Sequence, residues 1–254
     1  MDVFEKYFKR RHENVLELLK TPKSRIKPEV FHKLRVEIKK LDALFALVND
    51  ADRKFKRQQS FKLYKEVFDQ AGAIRDIQVE RDVMKKYLRL NALKDYRNQL
   101  RENEQAEIKK FYSLASKGFV SKMEDNYSDI IPFMKSVKVK EYEIFLRKQK
   151  KEIEKLMSNK TIPVKLIHEL RIKLKAYYYL LNIKSVKSGK DKLTPLLGKW
   201  HDIQVILGHL HKTIDTIKVK PGSFAKLTRV DTHLTEDSNK LLSQIHRIIP
   251  KVVL

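Results

Sequence analysis

One segment of the chain recurs in a close copy 136 residues later and so indicates a duplicated fold: Phe31-His32-Lys33-Leu34-Arg35-Val36-Glu37-Ile38-Lys39. The copy is Ile167-His168-Glu169-Leu170-Arg171-Ile172-Lys173-Leu174-Lys175. In both stretches apolar residues return every three or four positions, which is the spacing of one face of an α-helix. The repeat therefore predicts two equivalent amphipathic helices in a duplicated chain.

A second pair of similar segments follows the first. The segment Gly72-Ala73-Ile74-Arg75-Asp76-Ile77-Gln78-Val79 matches Gly198-Lys199-Trp200-His201-Asp202-Ile203-Gln204-Val205, 126 residues later. Because this offset is ten residues smaller than the first, the connection between the two motifs is shorter in the second half. So long a period indicates a tandem duplication of a whole helical unit rather than a solenoid of short repeats.

Helical periodicity extends over nearly the whole chain, and convincing strand alternation occurs nowhere. The predicted helices span about 2–20, 28–49, 53–70, 73–90, 93–117, 119–134, 139–158, 164–184, 189–197, 199–217 and 222–249. Gly72 and Gly198 are expected at helix starts, Gly118 at a helix C-cap and Pro132 near a helix end.

The expected fold class is all-α, with two homologous antiparallel four-helix bundles, because short connections favour antiparallel neighbours. The bundles occupy about residues 1–118 and 138–254 and are joined by residues 119–137. Together they are expected to form a single domain over residues 1–254.

Composition narrows the class of protein. The 254 residues include 56 Lys and Arg against 32 Asp and Glu, which gives a formal net charge of +24, and there is no cysteine. An apolar content of 42% is too high for a disordered basic tail. The charged N-terminus lacks the apolar core of a signal peptide, and no run of about 18 apolar residues occurs. We therefore expect a soluble cytoplasmic protein whose partner is a polyanion.

The repeated helices each carry three basic residues on one face, beside the apolar stripe. These triads are His32, Arg35 and Lys39 in the first copy, and His168, Arg171 and Lys175 in the second. Like charges one turn apart destabilise a helix, and a solvated face normally mixes both signs. A triad present twice at matched positions favours binding of a phosphate-rich polyanion. If the halves pack about a pseudo-twofold axis, the triads would line one shared surface.

The second motif carries one carboxylate in each half. Asp76 and Asp202 could hold a basic side chain of the first motif by a hydrogen bond. They could equally occupy the first turn of a helix because its dipole favours negative charge there. Both interpretations stay open at this point.

These motifs are similar to those of a known family. The pattern His-x-Leu-Arg-(Val/Ile)-x-(Leu/Ile)-Lys resembles the signature of the CHAD domain, the conserved histidine α-helical domain, and Gly-x-x-x-Asp-(Ile/Leu)-x-Val resembles its second signature. The likeness covers essentially the whole chain. It implies two four-helix bundles with pseudo-twofold symmetry, a basic central surface or pore that binds inorganic polyphosphate, and location at polyphosphate granules.

The resemblance also assigns residues. The implied polyphosphate contacts are His32, Arg35, Lys39, Lys40, His168, Arg171 and Lys175, with Arg75, Asp76, Asp202 and Tyr179 in support. The chain departs from the family pattern at Asp42, where Arg is common, and at Ala176 and Tyr178, where basic residues are expected. These departures weaken the expected contacts at the far end of each helix.

Other functions have less support in the sequence. A nucleic-acid-binding helical module is the main alternative, because it uses the same electrostatic attraction. A protein-interaction scaffold is a third. Phosphate-binding glycine loops and nucleophile elbows are missing, and His209 and His211 point about 200° apart on a helix. We expect no enzyme activity, cofactor or metal. We also expect free His32 and His168 to resist protonation, so that polyphosphate binding tightens as the pH falls through about 6–7.

Overall fold

The computed structural model describes residues 2–87, 94–158, 162–184, 191–216, 221–252 and 254. These residues form nine α-helices and three short 3₁₀ turns, without any strand, which confirms the all-α fold class. The helices are α1 (Val3–Leu19), α2 (Pro28–Ala51), α3 (Arg57–Tyr87), α4 (Lys94–Leu114), α5 (Lys117–Ser136), α6 (Val139–Met157), α7 (Val164–Leu181), α8 (Leu193–Thr216) and α9 (Pro221–Ile248).

Several helices begin at residues that either accept a free backbone N–H group of the first turn or have no N–H group of their own. The Asp2 carboxylate accepts the backbone N–H of Phe4 at the start of α1. Pro28 opens α2, where its missing N–H costs nothing. The Ser116 hydroxyl accepts the N–H of Phe119 and starts α5.

Consecutive helices pack against each other within each half, from α1 to α4 and from α6 to α9. The halves meet where α2 packs on α7 and α3 packs on α8. One buried cluster fills the first half and reaches into the second through Tyr142, Phe145 and Leu180, while another fills the second half around Trp200. A third cluster joins α3 and α4 to α8 and α9. The packing of both halves therefore fixes the position of the basic residues that lie between α2 and α7.

Two predicted helix breaks are wrong. The predicted helices 53–70 and 73–90 are one helix, α3, which begins only at Arg57, and 189–197 and 199–217 are one helix, α8, which begins only at Leu193. Gly72 and Gly198 lie inside these helices rather than at their starts. The helices continue because neighbouring apolar residues pack into the core on both sides of each glycine. Asp191 caps α8 instead, accepting the backbone N–H groups of Leu193 and Thr194.

The predicted ends around the middle of the chain are also wrong. Helix α4 ends at Leu114, and Gly118 lies in the first turn of α5 because Ser116 caps a new helix immediately. Pro132 lies inside α5, which continues to Ser136. The buried side chains of Ile130 and Met134 on both sides of the proline hold this last turn against the first core.

Some expectations concern residues or relations that the structure does not test. The predicted helix limits at 90, 93, 189 and 217 lie outside the described residues. The division into repeats 1–118 and 138–254 and their pseudo-twofold relation remain predictions; most of the connection 119–137 is helix α5. Within the described ranges, none of the helices combines the length and apolarity needed to cross a bilayer.

Candidate anion-binding site

Five of the six triad residues meet at one cavity, which we call the central cavity, between α2, α3, α7 and α8. Its volume is about 140 Å³. The predicted site residues that line it are His32, Arg35, Lys39, Arg75, Asp76, Arg171, Lys175, Tyr179 and Asp202. The structure therefore brings together residues that are up to 170 positions apart in the sequence.

Two of the predicted residues do not line the cavity. His168 borders it, since its ring centroid lies 5.0 Å from that of His201, which does line the cavity. Lys40 is held elsewhere, because its Nζ lies 2.6 Å from Oε1 of the buried Glu37. Lys40 therefore belongs to an ion-pair cluster with Arg11 rather than to the cavity.

The packing of α2 and α7 positions the triads. Leu34 and Ile38 on α2, and Leu170 and Leu174 on α7, are completely buried. Because these apolar faces are fixed in the cores, the adjacent basic faces of both helices are directed into the space between them. The apolar stripe read from the sequence thus sets the direction of the charged side chains.

Arg35 is held firmly within the cavity. Its Nη1 donates to the backbone carbonyl of Phe68 at 3.2 Å, and its guanidinium carbon lies 4.1 Å from the centroid of the Phe68 ring. The Lys39 ammonium lies 5.5 Å from the same ring centroid. The Arg35 guanidinium also fills the space beside Gly72, where a Cβ atom would overlap Nη1. Phe68 and the role of Gly72 were missed from the sequence, because nothing in the helical spacing marks them.

Arg171 is held differently. The residue is only 9% exposed, and its buried Nε makes no hydrogen bond. Within the described part of the chain no carboxylate comes within ion-pair distance of its guanidinium. Burial lowers the pKa of Arg171, and Asp202 opposes this shift at longer range. A buried guanidinium with an unsatisfied donor is costly unless a ligand supplies the acceptor.

The environment of the cavity disfavours charge on its lysines. Burial, followed by the neighbouring Arg35, Arg171 and Lys175, lowers the pKa of Lys39 to about 7. Burial and then Arg171 also lower the pKa of Lys175. Desolvation and like charges both disfavour the protonated amine. An anion in the cavity would oppose both effects.

The histidines resist protonation, as expected from the sequence, but the main cause is different. Burial is the largest cause of the lowered pKa of His32, ahead of Arg75, and of His168, ahead of Arg171. Burial, followed by Arg171, lowers the pKa of His201 to about 3. His201 was not assigned from the sequence. The offset of 126 residues could have found it, because it pairs His201 with Arg75.

The two aspartates act on the neighbouring cations by electrostatic interaction over a distance. Asp76 and Asp202 line the cavity from the middle of α3 and α8, so the first-turn interpretation is wrong. Arg35 makes its hydrogen bond to the Phe68 carbonyl rather than to either carboxylate. Burial raises the pKa of Asp202, while Arg171 and Lys175 oppose this shift. The carboxylates therefore offset part of the positive charge without closing the site.

The cavity can capture an anion but has little to hold a metal. Among the described residues, His, Asp and Glu side chains form no group of three or more that could bind a metal ion. The available chemistry consists of guanidinium and ammonium donors that converge on a narrow, partly desolvated space. Such donors match phosphate oxygens.

The two equivalent glycines allow a matched test of the Arg35 position. Gly198 lines the same cavity, but Gly198→Ala adds a methyl group where no atom lies within 4 Å, so we expect about 0.5–1 kcal/mol more stability from helix propensity. Gly72→Ala displaces the Arg35 guanidinium. The gain in stability is therefore lost, and the affinity for tripolyphosphate falls about tenfold. Urea denaturation and isothermal titration calorimetry measure the two effects. Equal tripolyphosphate affinity in both variants would contradict this account.

Lys39→Met should stabilise the ligand-free protein. The pKa of Lys39 in the folded protein is about 7, below that of an unfolded lysine. The charge on Lys39 therefore has its full destabilising effect below pH 7. This penalty fades as the pH rises above 7. We expect the melting temperature at pH 6 to rise by about 2 °C or more, and the difference to shrink towards pH 9. Lys33→Met, at an exposed position of the same helix, is the control and should show no such pH dependence.

Comparison with known proteins gives the family of the chain. A family model of the CHAD domain matches residues 8–215, and a comparison with curated proteins gives no match. The matched stretch covers most of the chain and includes every residue that lines the central cavity. The duplicated histidine helices, the all-α fold and this match have one common explanation. The chain belongs to the CHAD domain family.

Proposed function

We propose that the chain binds inorganic polyphosphate in the central cavity. One observation carries the proposal: five of the six triad residues, which come from distant parts of the sequence, converge there with few carboxylates to neutralise them. Membership of the CHAD family supports it, because that family is linked to polyphosphate-related proteins. On this proposal, the protein would collect at polyphosphate granules in cells that contain them.

The shape of the cavity favours a bare phosphate chain over nucleic acid. Four helices enclose a volume of about 140 Å³, which has no room for a duplex. Single-stranded nucleic acid is normally held by bases stacked on aromatic rings. The Phe68 ring beside the triads is already covered by the Arg35 guanidinium. A polymer without bases needs only donors and positive charge, which the cavity provides.

The proposal is for binding without catalysis. Phosphoryl transfer normally requires carboxylates that hold Mg²⁺ against the phosphates. The carboxylates of the cavity, Asp76 and Asp202, come one from each half and lie among cations. Incubation with polyphosphate and Mg²⁺ should therefore release no orthophosphate and leave the chain length unchanged on a gel.

Removing the cavity cations tests the proposal directly. We expect Arg171→Ala and Lys175→Ala each to weaken long-chain polyphosphate binding about tenfold or more. The slope of log K against log salt should fall by roughly one for each phosphate that the variant no longer neutralises. Lys165→Ala, at an exposed position of α7 outside the cavity, is the matched control and should change neither quantity. The measurement is calorimetric titration at several salt concentrations.

Competition separates polyphosphate from nucleic acid. At equal phosphate concentration, polyphosphate should displace labelled duplex DNA from the wild-type protein, whereas DNA should not displace polyphosphate. Stronger retention of DNA would favour the nucleic-acid module. If Arg171→Ala and Lys175→Ala left all anion binding unchanged, the scaffold interpretation would replace both.

Binding should weaken as the pH rises. A bound phosphate favours the protonated forms of Lys39, His32 and His168, whose pKa values are lowered in the free protein. Affinity should therefore be highest near pH 5.5, fall as the histidines lose their protons, and fall further above pH 7 as Lys39 does. Titrations with long-chain polyphosphate at constant ionic strength measure this, because chain ends then contribute little. A flat profile would contradict the role of all three residues.

A further inference from the structure

A second, larger cavity adjoins the site. This lateral cavity has a volume of about 530 Å³ and lies between α2, α6 and α7, with the first half of α3 on one side. It shares four lining residues with the central cavity: Lys39, Arg171, Lys175 and Tyr179. The same cations can therefore be reached from two sides.

The remainder of the lateral cavity is chemically unlike the central one. Its walls include the apolar side chains of Ala43, Ala46, Phe145, Ile172 and Ala176. Ile172 is 52% exposed, which is unusual for a large aliphatic residue next to a core. A chain of phosphates alone would leave these apolar walls in contact with water.

The charges around the lateral cavity direct an anion to the shared cations. The carboxylate of Asp42 is paired with Arg57 at 2.6 Å, and that of Glu152 is paired with Lys173 at 2.7 Å. In contrast, no carboxylate of the described residues lies within ion-pair distance of Lys39, Arg171 or Lys175. The unneutralised positive charge is thus concentrated at the wall between the two cavities.

The lateral cavity also offers polar groups suited to an organic ring. The Gln149 amide lines it, and the described residues supply no hydrogen-bond partner for that amide. Tyr179, a residue with a hydroxyl group, belongs to the wall shared with the central cavity. Ligand sites of this volume are typically apolar with a few such polar groups that fix orientation. The arrangement suits a flat, partly polar ring attached to several phosphates.

We propose that the lateral cavity is a second ligand site, for a nucleoside triphosphate. The base and sugar occupy the apolar part beside Ile172 and Ala176, and the phosphates reach Lys39, Arg171 and Lys175 from the lateral side. Because both ligands use these three cations, a bound nucleoside triphosphate excludes polyphosphate from this part of the central cavity. The proposal requires the shared cations, but it does not require that polyphosphate binds.

The test compares ATP with tripolyphosphate, which has the same number of phosphates but no nucleoside. Calorimetric titrations with EDTA and without divalent cations measure both affinities. For the wild-type protein we expect ATP to bind at least about tenfold more tightly than tripolyphosphate. Ala176→Trp fills the lateral cavity, so it should abolish this advantage and leave tripolyphosphate affinity within about twofold of wild type. In that variant, ATP should displace labelled polyphosphate no better than tripolyphosphate does.

A second variant does not depend on tolerance of a large side chain. Ile172→Ala removes part of the apolar wall at an exposed position and should reduce the ATP advantage about threefold. Val164→Ala is the matched control, because Val164 is also 52% exposed on α7 but lines neither cavity. The proposal is overturned if ATP binds no more tightly than tripolyphosphate, or if its advantage survives both variants. Polyphosphate titrations of the same samples test the proposed function separately, because either ligand can bind when the other does not.

Discussion

The main constraint on this structure is that several like charges lie close together in a partly desolvated space. Burial is the main cause of the lowered pKa values of Arg35, Lys39, Arg171 and Lys175, and neighbouring cations lower them further: Arg75 acts on Arg35, and Arg35 acts on the other three. Such an arrangement opposes folding. The apolar stripes of α2 and α7 offset this cost, because the first is fixed in the cluster that reaches into the second half and the other in the cluster that fills the second half. The net stability of any domain is small, so the site is tolerable only while these cores are intact.

The same balance explains why the cavity has two carboxylates rather than none or many. Burial lowers the pKa values of Arg35 and Lys39, and the carboxylates oppose this: Asp76 and Asp202 act on Arg35, and Asp202 acts on Lys39. They reduce the repulsion without forming the close ion pairs that fix Asp42 and Glu152 on the lateral side. The cations stay charged enough to attract a polyanion, and their donors stay available to it. Closer pairing would stabilise the free protein and close the site.

The sequence correctly predicts the parts of the structure that depend on hydrophobic periodicity. The apolar residues of the two repeated stretches are buried, as their helical spacing predicts; they are Phe31, Leu34, Ile38, Ile167, Leu170 and Leu174. Sequence reasoning failed at Gly72, Gly118 and Pro132, where local propensity points to a break but tertiary packing or a neighbouring cap decides. It could not find the Phe68 carbonyl, because a backbone acceptor has no sequence signal. His201 was within reach, since the repeat offset alone pairs it with Arg75.

The two copies of the motif have diverged in how they hold their arginine. Arg35 has a backbone acceptor, an aromatic ring and a glycine that makes room for it. The offset of 126 residues places Thr194 opposite Phe68, so Arg171 has no equivalent ring, and Gly198 faces open space. One half thus supplies a preorganised donor, whereas the other supplies a buried donor that still lacks an acceptor. Because Arg171 also lines both cavities, it is the residue whose environment a bound phosphate would change most.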